Sequence, residues 1–162
     1  MGVGIRQGRP EDAEAASLLA VRAKASLGYP ADWLTRWQDT LTIRPEYLDT
    51  HGSWMAERDG ELVGICVLER RDQLGALQHV WVAPEFQRHG IGRALVREAL
   101  AWAADAGFKR IEVVADPSAM PFYLRLGARR CGHQPAPMPG APERALPRLE
   151  FLLDDSDVGH LG

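Results

Sequence analysis

A strand-like run, a glycine-containing turn and a helical pattern follow one another along one stretch of the chain. The run at residues 77–82 ends before a turn that contains Gly90-Ile91-Gly92, and Gly107 ends the helical pattern. Apolar residues recur at helical spacing in that pattern: Ile91, Leu95, Ala99, Trp102 and Ala106. A second strand is predicted at residues 110–115. A strand, a helix and a strand in about forty residues form a βαβ crossover, so the two strands must run in the same direction.

The turn at residues 87–93 leaves main-chain N–H groups uncovered. Gly90 and Gly92 have no Cβ atoms, and the helix predicted to begin here directs its positive dipole end toward the same place. Together these groups predict an anion site for a phosphate. A Rossmann turn needs three glycines as G-x-G-x-x-G and a Walker A turn needs Gly-Lys-Ser/Thr. Leu95 stands where a Rossmann turn has its third glycine, and Arg93 stands where a Walker A turn has its lysine, so neither nucleotide-binding pattern fits.

The flanking segments predict a sheet that begins with antiparallel strands. Asp59-Gly60 separates apolar runs at residues 53–57 and 62–69, which is typical of a hairpin. A short strand at residues 5–7 precedes a helix that runs from Pro10 to about residue 25. The fold class is therefore α+β.

Two further helices and a last strand are predicted in the remaining segments. Trp33, Leu34 and Trp37 continue in helical spacing, for which a core-facing stripe is favoured over a substrate contact. Residues 117–126 are predicted to form a short helix and residues 148–153 a closing strand, which pairs either within the sheet or with a second subunit.

Length and composition indicate one globular domain. The chain has 162 residues, of which 46% are apolar and 25% charged. We assign residues 1–153 to the domain and residues 154–162 to an acidic, flexible tail. Neither a leader nor a membrane span is recognisable, so a cytoplasmic location is predicted. Cys66 and Cys131 are expected to be small buried hydrophobes, and the five histidines lack metal-site spacing, so no metal is predicted.

Positive charge is concentrated around the turn. Residues 86–130 carry a net charge of +4 and the rest of the chain −7. This distribution favours a small polyanionic ligand at one site over a nucleic-acid surface. For Arg129 and Arg130, simple solvation is favoured.

Two motifs in this region resemble those of the GNAT acyltransferase superfamily. Gln87-Arg88-His89-Gly90-Ile91-Gly92 has the form Q/R-x-x-G-x-G/A, and residues 80–84 resemble the family's fourth strand. Residues 116–128 are similar to the pattern N-x-x-A-x-x-F-Y-x-x-x-G-F. The resemblance extends from about Ile5 to Leu153, and two motifs at consistent spacing are far more specific than one.

The resemblance implies a fold and a co-substrate. The GNAT fold has a mixed, mostly antiparallel central sheet with a splayed parallel strand pair and helices on both faces. Acetyl-CoA is the implied donor, with its pyrophosphate on the main chain of residues 88–93 and its pantetheine arm paired with the main chain of Val80 and Val82. The residues implied in binding it are Val80, Trp81, Val82, Gln87, Arg88, His89, Gly90, Ile91, Gly92, Arg93, Asp116 and Tyr123.

The resemblance also implies roles in acyl transfer. The Tyr123 hydroxyl is expected to protonate the departing thiolate, and a main-chain N–H near Val82 to hold the oxyanion. Asp116 stands where the family has Asn, and helix capping is weighted equally with a contact to the co-substrate.

The general base stays open, because the glutamate that family members often place early in this strand is missing and Gln78 cannot take a proton. His79 is the catalytic candidate on the strand, beside Glu69, Glu112 or a water relay.

The acceptor is expected to be a primary amine of a small molecule, acetylated by direct transfer in a ternary complex. Its predicted pocket lies between residues 26–44 and residues 132–147. The first segment has the aromatic residues Tyr29, Trp33 and Trp37, and the second has His133, Glu143 and Arg144. Open alternatives are an acyl-CoA-binding sensor or structural domain, a peptide or protein N-acetyltransferase, and nucleotide binding. A homodimer is also compatible with the family.

Overall fold

A computed structural model describes residues 2–153. Within them, seven strands form one mixed sheet in the order β1-β2-β3-β4-β5-β7-β6. The strands are β1 (Gly4–Gln7), β2 (Gly52–Arg58), β3 (Glu61–Arg71), β4 (Leu74–Val82), β5 (Arg110–Val114), β6 (Arg129–Pro135) and β7 (Ala145–Leu152). The helices are α1 (Ala13–Ala25), α2 (Ala31–Arg36), α3 (Gln38–Leu41), α4 (Pro45–Thr50), α5 (Ile91–Asp105) and α6 (Met120–Arg125). The predicted α+β class is confirmed, whereas the predicted tail lies outside the described residues.

The hairpin predicted from Asp59-Gly60 is confirmed. Both residues have positive φ, 53° and 79°, as the favoured two-residue hairpin turn requires. Strands β2 and β3 pair antiparallel on either side of it, and β1 pairs antiparallel with β2. The turn between β3 and β4 likewise contains a residue of positive φ, Asp72 at 53°.

The predicted crossover is also confirmed, with its parallel pairing earlier in the strand than the sequence indicates. Strand β4 begins at Leu74, three residues before the predicted start at residue 77. Its register with β5 runs from Leu74 opposite Arg110 to Ala76 opposite Glu112. Beyond Ala76, β4 continues to Val82.

The described residues divide into two compact units, of which the first comprises residues 2–68 and His79–Ala99. Its core lies between α1 and the strands β2 and β3. Small residues on one face of α1 bring the helix close to the sheet, and larger apolar side chains fill the space. Buried members of this core are Ala13, Ala16, Leu19, Ala20, Leu41, Ile43, Leu48, Met55, Ile65 and Val67.

Helix α5 packs against β3 in this unit because Gly64 leaves room for it. A Cβ atom on Gly64 would lie 2.9 Å from Ile91 Cγ2 and 3.0 Å from Leu95 Cδ1. The buried side chains of the helix are Ile91, Leu95, Val96, Ala99 and Ala103. The predicted stripe was wrong at its C-terminal end, where Trp102 is half-buried and Ala106 is exposed. The buried face is displaced by one residue there.

The second unit comprises Glu69–Gln78 and residues 100–153. Strand β7 lies between β5 and β6 and pairs antiparallel with both. Of the two alternatives for the closing strand, pairing within the sheet is therefore the one observed, and the homodimer stays a prediction. Strand β6 was not predicted. Nearly all of its residues are exposed, so it has no apolar alternation to reveal it.

Two expectations about single residues in the second unit were wrong. Cys131 is exposed, whereas Cys66 of the first unit is buried as predicted and its thiol pKa is raised by burial. Arg129 is not simply solvated, because its guanidinium lies 2.8 Å from the buried carboxylate of Glu150.

Candidate active site

The turn before α5 begins at a main-chain hydrogen bond to β3 and ends in left-handed backbone. Ala83 N–H donates to Val63 O at 2.9 Å, and a single 3₁₀ turn, Pro84–Phe86, follows. The chain then passes through two left-handed residues, Arg88 with φ 66° and Gly90 with φ 81°. Left-handed backbone at Gly90 is expected of glycine, whereas at Arg88 the tertiary structure imposes it.

The first turn of α5 offers main-chain donors to an anion. The N–H of Ala94 donates to Gly90 O at 3.0 Å, which is the first bond of the helix. The N–H groups of Ile91, Gly92 and Arg93 precede it, so they have no acceptor within the helix. Residues 87–90 and Arg93 are exposed. Donors, dipole and access are thus combined at one point, which is the physical basis of anion binding at a helix start.

The side chains around the turn supply charge and partial cover. Gln87 Nε2 donates to Val82 O at 3.4 Å, which connects the turn to the end of β4. The His89 ring lies 6.5 Å from that of Phe86, whose face is also covered by the Arg58 guanidinium at 5.3 Å. Arg88 and Arg93 extend toward solvent.

His79 and Trp81 form a connected pair on one face of β4. Trp81 Nε1 donates to His79 Nδ1 at 3.0 Å, and the Tyr47 ring meets His79 edge-on at 6.1 Å. Since an indole nitrogen only donates, Nδ1 must be the unprotonated nitrogen of the imidazole. His79 is buried, with 9% of its surface exposed. Its Nδ1 lone pair, the one a neutral histidine would use to accept a proton, is already engaged.

Tyr123 is buried in the second unit, with 6% of its surface exposed. It lies in α6, where its ring meets that of Phe122 edge-on at 5.0 Å. Its carbonyl accepts from the N–H groups of Leu126 and Ala128, both at 3.1 Å, so the end of α6 is closed around this residue.

Asp116 caps the turn that leads into α6. Its carboxylate accepts from Ser118 N at 3.0 Å and from Ser118 Oγ at 2.6 Å. Pro117 follows at the first position of the turn, as expected of a capped start. The cap, one of the two roles that the sequence left open, is therefore present.

Comparison with known proteins identifies the family of this chain. A family model described as the acetyltransferase (GNAT) family matches residues 18–128. The chain belongs to the GNAT acetyltransferase family. It is 33% identical over 143 residues to human N-acetyltransferase 8, covering 71% of this chain and 60% of that protein. It is 33% identical over 135 residues to mycothiol acetyltransferase of Streptomyces bingchenggensis, covering 78% of this chain and 42% of that protein.

Solved structures show the same fold at low sequence identity. The PaiA N-acetyltransferase from Thermoplasma acidophilum, crystallised with coenzyme A, matches with a TM-score of 0.76 and 17% identity over 94% of this chain and 99% of that chain. The chain spans about half the length of the curated relatives it matches. The recognition as GNAT and the GNAT fold are thereby confirmed.

In this GNAT chain, both carboxylates considered as bases are held by arginines. Glu69 lies 3.0 Å from Arg71 Nε, and Glu112 lies 3.3 Å from Arg148 Nη2. Gln78, at the strand position considered for the family glutamate, is exposed. A proton taken by either carboxylate would therefore weaken an existing ion pair.

The aromatic residues considered for the acceptor pocket form one cluster at the edge of the hydrophobic core. No residue of α2 is fully buried, and Tyr29, Trp33 and Trp37 are half-buried. The Tyr29 ring stacks on Trp33 at 5.5 Å and meets Trp37 edge-on at 5.1 Å. The core-facing interpretation of this stripe is confirmed for Trp37, which packs against the hydrophobic core of the first unit. The sequence signal that could have revealed the cluster is the 29, 33, 37 spacing of three aromatic residues beside Lys24.

The second predicted pocket segment is partly strand. Residues 132–135 belong to β6 and residues 145–147 to β7, which leaves a connection of residues 136–144. His133 and Glu143 are exposed, and Arg144 Nη1 donates to Ala136 O at 3.3 Å.

Two searches of the described residues were negative. Among residues 2–153, no group of three or more His, Cys, Asp or Glu side chains is placed to hold a metal ion. No helix in the same part of the chain has both the length and the apolar character needed to cross a membrane.

Proposed function

We propose that this GNAT chain transfers the acetyl group of acetyl-CoA to a primary amine of a small molecule, by direct transfer in a ternary complex. The observation that carries the proposal is the start of α5, where main-chain donors without an acceptor inside the helix follow a left-handed turn with exposed arginines. A pyrophosphate bound there accepts from the N–H groups of residues 91–93. The solved neighbour with coenzyme A supports the choice of ligand.

The proposed binding residues extend from this turn along β4. The main chain of Val80 and Val82 pairs with the pantetheine arm by strand addition, since the parallel pairing with β5 ends at Ala76. The residues proposed to contact acetyl-CoA are Val80, Trp81, Val82, Gln87, Arg88, His89, Gly90, Ile91, Gly92, Arg93, Asp116 and Tyr123. The Asp116 carboxylate also caps the turn that leads into α6, the helix that carries Tyr123.

The chemistry requires one bond to form and one to break. The neutral amine attacks the acetyl carbonyl carbon, a C–N bond forms, and a main-chain N–H near Val82 donates to the oxyanion. The C–S bond then breaks, and the thiolate takes a proton from the Tyr123 hydroxyl, which is regained from solvent. The remaining ammonium proton leaves to a base.

His79 is the proposed base, and its hydrogen bond with Trp81 limits how it can take up a proton. A proton must enter at Nδ1, so the Trp81 indole must move away or the acceptor must displace it. Glu69, Glu112 and a water relay are the other routes, and the first two begin from ion pairs with arginine.

The decisive experiment measures binding and turnover separately. Thermal shift with acetyl-CoA, ATP and NAD tests the ligand, and CoA release over a panel of primary amines tests the reaction. We expect stabilisation by acetyl-CoA alone and CoA release with at least one amine, lost in Tyr123→Phe. Stabilisation by ATP or NAD instead would overturn the assignment of acetyl-CoA as the ligand. Tight acetyl-CoA binding without release on any amine would favour the sensor, for which the engaged Nδ1 of His79 is the motivating observation.

A further inference from the structure

Three aromatic rings of the first unit surround the ammonium group of Lys24. Its Nζ lies 4.4 Å from the ring centre of Trp37, 5.1 Å from that of Tyr29 and 5.9 Å from that of Trp81. All three distances are within the range in which a cation is attracted by a ring face. We call these three rings, with Trp33, the aromatic cage.

The rings of the cage also support one another. Trp33 stacks on Tyr29 at 5.5 Å and meets Trp37 edge-on at 5.8 Å, and Tyr29 meets Trp37 edge-on at 5.1 Å. Offset and edge-on pairs of this kind are stabilising beyond the area they bury. Three of the four rings are therefore held by contacts with one another as well as by Lys24. All four rings and Lys24 are half-buried, so a solute can reach them.

The cage adjoins the residues to which we assign the reaction. Trp81 contributes its ring to the cage, donates its indole N–H to His79 at 3.0 Å, and belongs to the β4 segment proposed to pair with the pantetheine arm. A group bound on Trp81 therefore lies beside the donor's path. An ammonium held there remains charged, because the rings favour the cation. It cannot be the nitrogen that attacks, since the attacking amine must be neutral.

We propose that the aromatic cage is a binding site for an alkylammonium group, which Lys24 occupies in the absence of ligand. An acceptor that carries two nitrogens then reacts at one while the other, charged, displaces Lys24 from the cage. The substrate class is an aliphatic diamine. The ring faces here take the role that an acidic cluster would have in recognising such a molecule. The choice of diamine rests on the proposed function, whereas the cation site does not.

The cation site is tested with choline, whose quaternary nitrogen cannot be acetylated, and with its neutral analogue 3,3-dimethylbutan-1-ol. Tryptophan fluorescence follows binding to wild type, Lys24→Met, Trp37→Phe and Trp37→Leu. We expect Lys24→Met to bind choline about ten-fold more tightly than wild type, because an intramolecular competitor is removed. Trp37→Phe should weaken binding about 3-fold and Trp37→Leu about 30-fold, as expected for graded loss of a ring face.

Circular dichroism and thermal melting show whether each variant is folded. If Trp37→Leu does not fold, Trp37→Phe still tests the cation site. Equal binding of choline and the neutral analogue, or an unchanged affinity in Lys24→Met, would overturn the cation site. The substrate class is tested by the ratio of kcat/KM for 1,5-diaminopentane to that for pentylamine, which should exceed ten and fall toward one in Trp37→Phe. Choline binding without acetylation of any amine would refute the proposed function and leave the cation site standing. A ratio near one in an active wild type would refute only the diamine.

Discussion

The close packing of α5 on β3 depends on the missing side chain of Gly64, and Gly64→Ala tests it. The added Cβ would lie 2.9 Å and 3.0 Å from carbons of Ile91 and Leu95. These two side chains are 5% and 0% exposed, so neither can swing into solvent. The helix start must move instead. Overpacking of this kind costs about 1–3 kcal/mol.

A smaller stabilising contribution from the unfolded chain opposes this cost. Replacing glycine by alanine restricts the unfolded chain and stabilises the protein by about 0.4–1 kcal/mol where the backbone allows it. Gly64 does not have positive φ, so this term applies. The net expectation is a loss of about 0–2.6 kcal/mol, which in a domain of this size lowers Tm by up to roughly 10 °C. Acetyl-CoA affinity should fall as well, because the displaced first turn carries the anion donors.

Urea unfolding of four proteins measures the effect: wild type, Gly64→Ala, Ile91→Ala and the double variant. Removing the Ile91 side chain opens a cavity that costs about 2–4 kcal/mol alone, but it also makes room for the new Cβ. The double variant should therefore be more stable than the sum of the single changes predicts, by about 0.5–2 kcal/mol. Gly4→Ala is the matched control, since a Cβ there meets nothing within 4 Å. Strict additivity, or a Gly64→Ala protein as stable as the control, would refute the packing argument.

Three further predictions concern the site and its scaffold. Tyr123→Phe should lower kcat by about 10²–10⁴ without changing the Kd of acetyl-CoA, as steady-state kinetics and calorimetry can show; an unchanged kcat would remove Tyr123 as the acid. Gly90→Ala should destabilise the chain by about 1–2 kcal/mol in urea unfolding and weaken acetyl-CoA binding, because Gly90 has φ 81°. Hydrogen bonds from Arg6 hold the pKa of the Asp12 and Glu57 carboxyls below their usual values. The two carboxylates stabilise the fold fully at pH values above their usual pKa values near 4, and this stabilisation is lost as pH falls through their lowered pKa values. Arg6→Gln should therefore make the free energy of unfolding depend less on pH between about 5 and 2. An unaltered pH profile would contradict this.

Local patterns predicted the elements that depend on a few neighbouring residues. The Asp59-Gly60 hairpin and the stop of α5 at Gly107 follow from backbone preferences, and both residues of the hairpin turn and Gly107 have positive φ as expected. Strand β6 and the six-residue helix α4 were missed. Strand β6 has mostly exposed residues, and α4 is too short to show a helical period. Its single buried residue, Leu48, gives no pattern by itself.

The resemblance to the GNAT family, the turn proposed to bind an anion and the position of Tyr123 in its motif could all be predicted from the sequence. Each motif behind these predictions has at most thirteen residues, whose order encodes the local backbone. Tertiary structure alone decided what surrounds the chemistry. It places the ring of Tyr47 against His79, Glu112 against Arg148, and the ammonium of Lys24 against Trp81. Such contacts join residues tens of positions apart, and no local preference can select them, because each depends on how the whole chain packs.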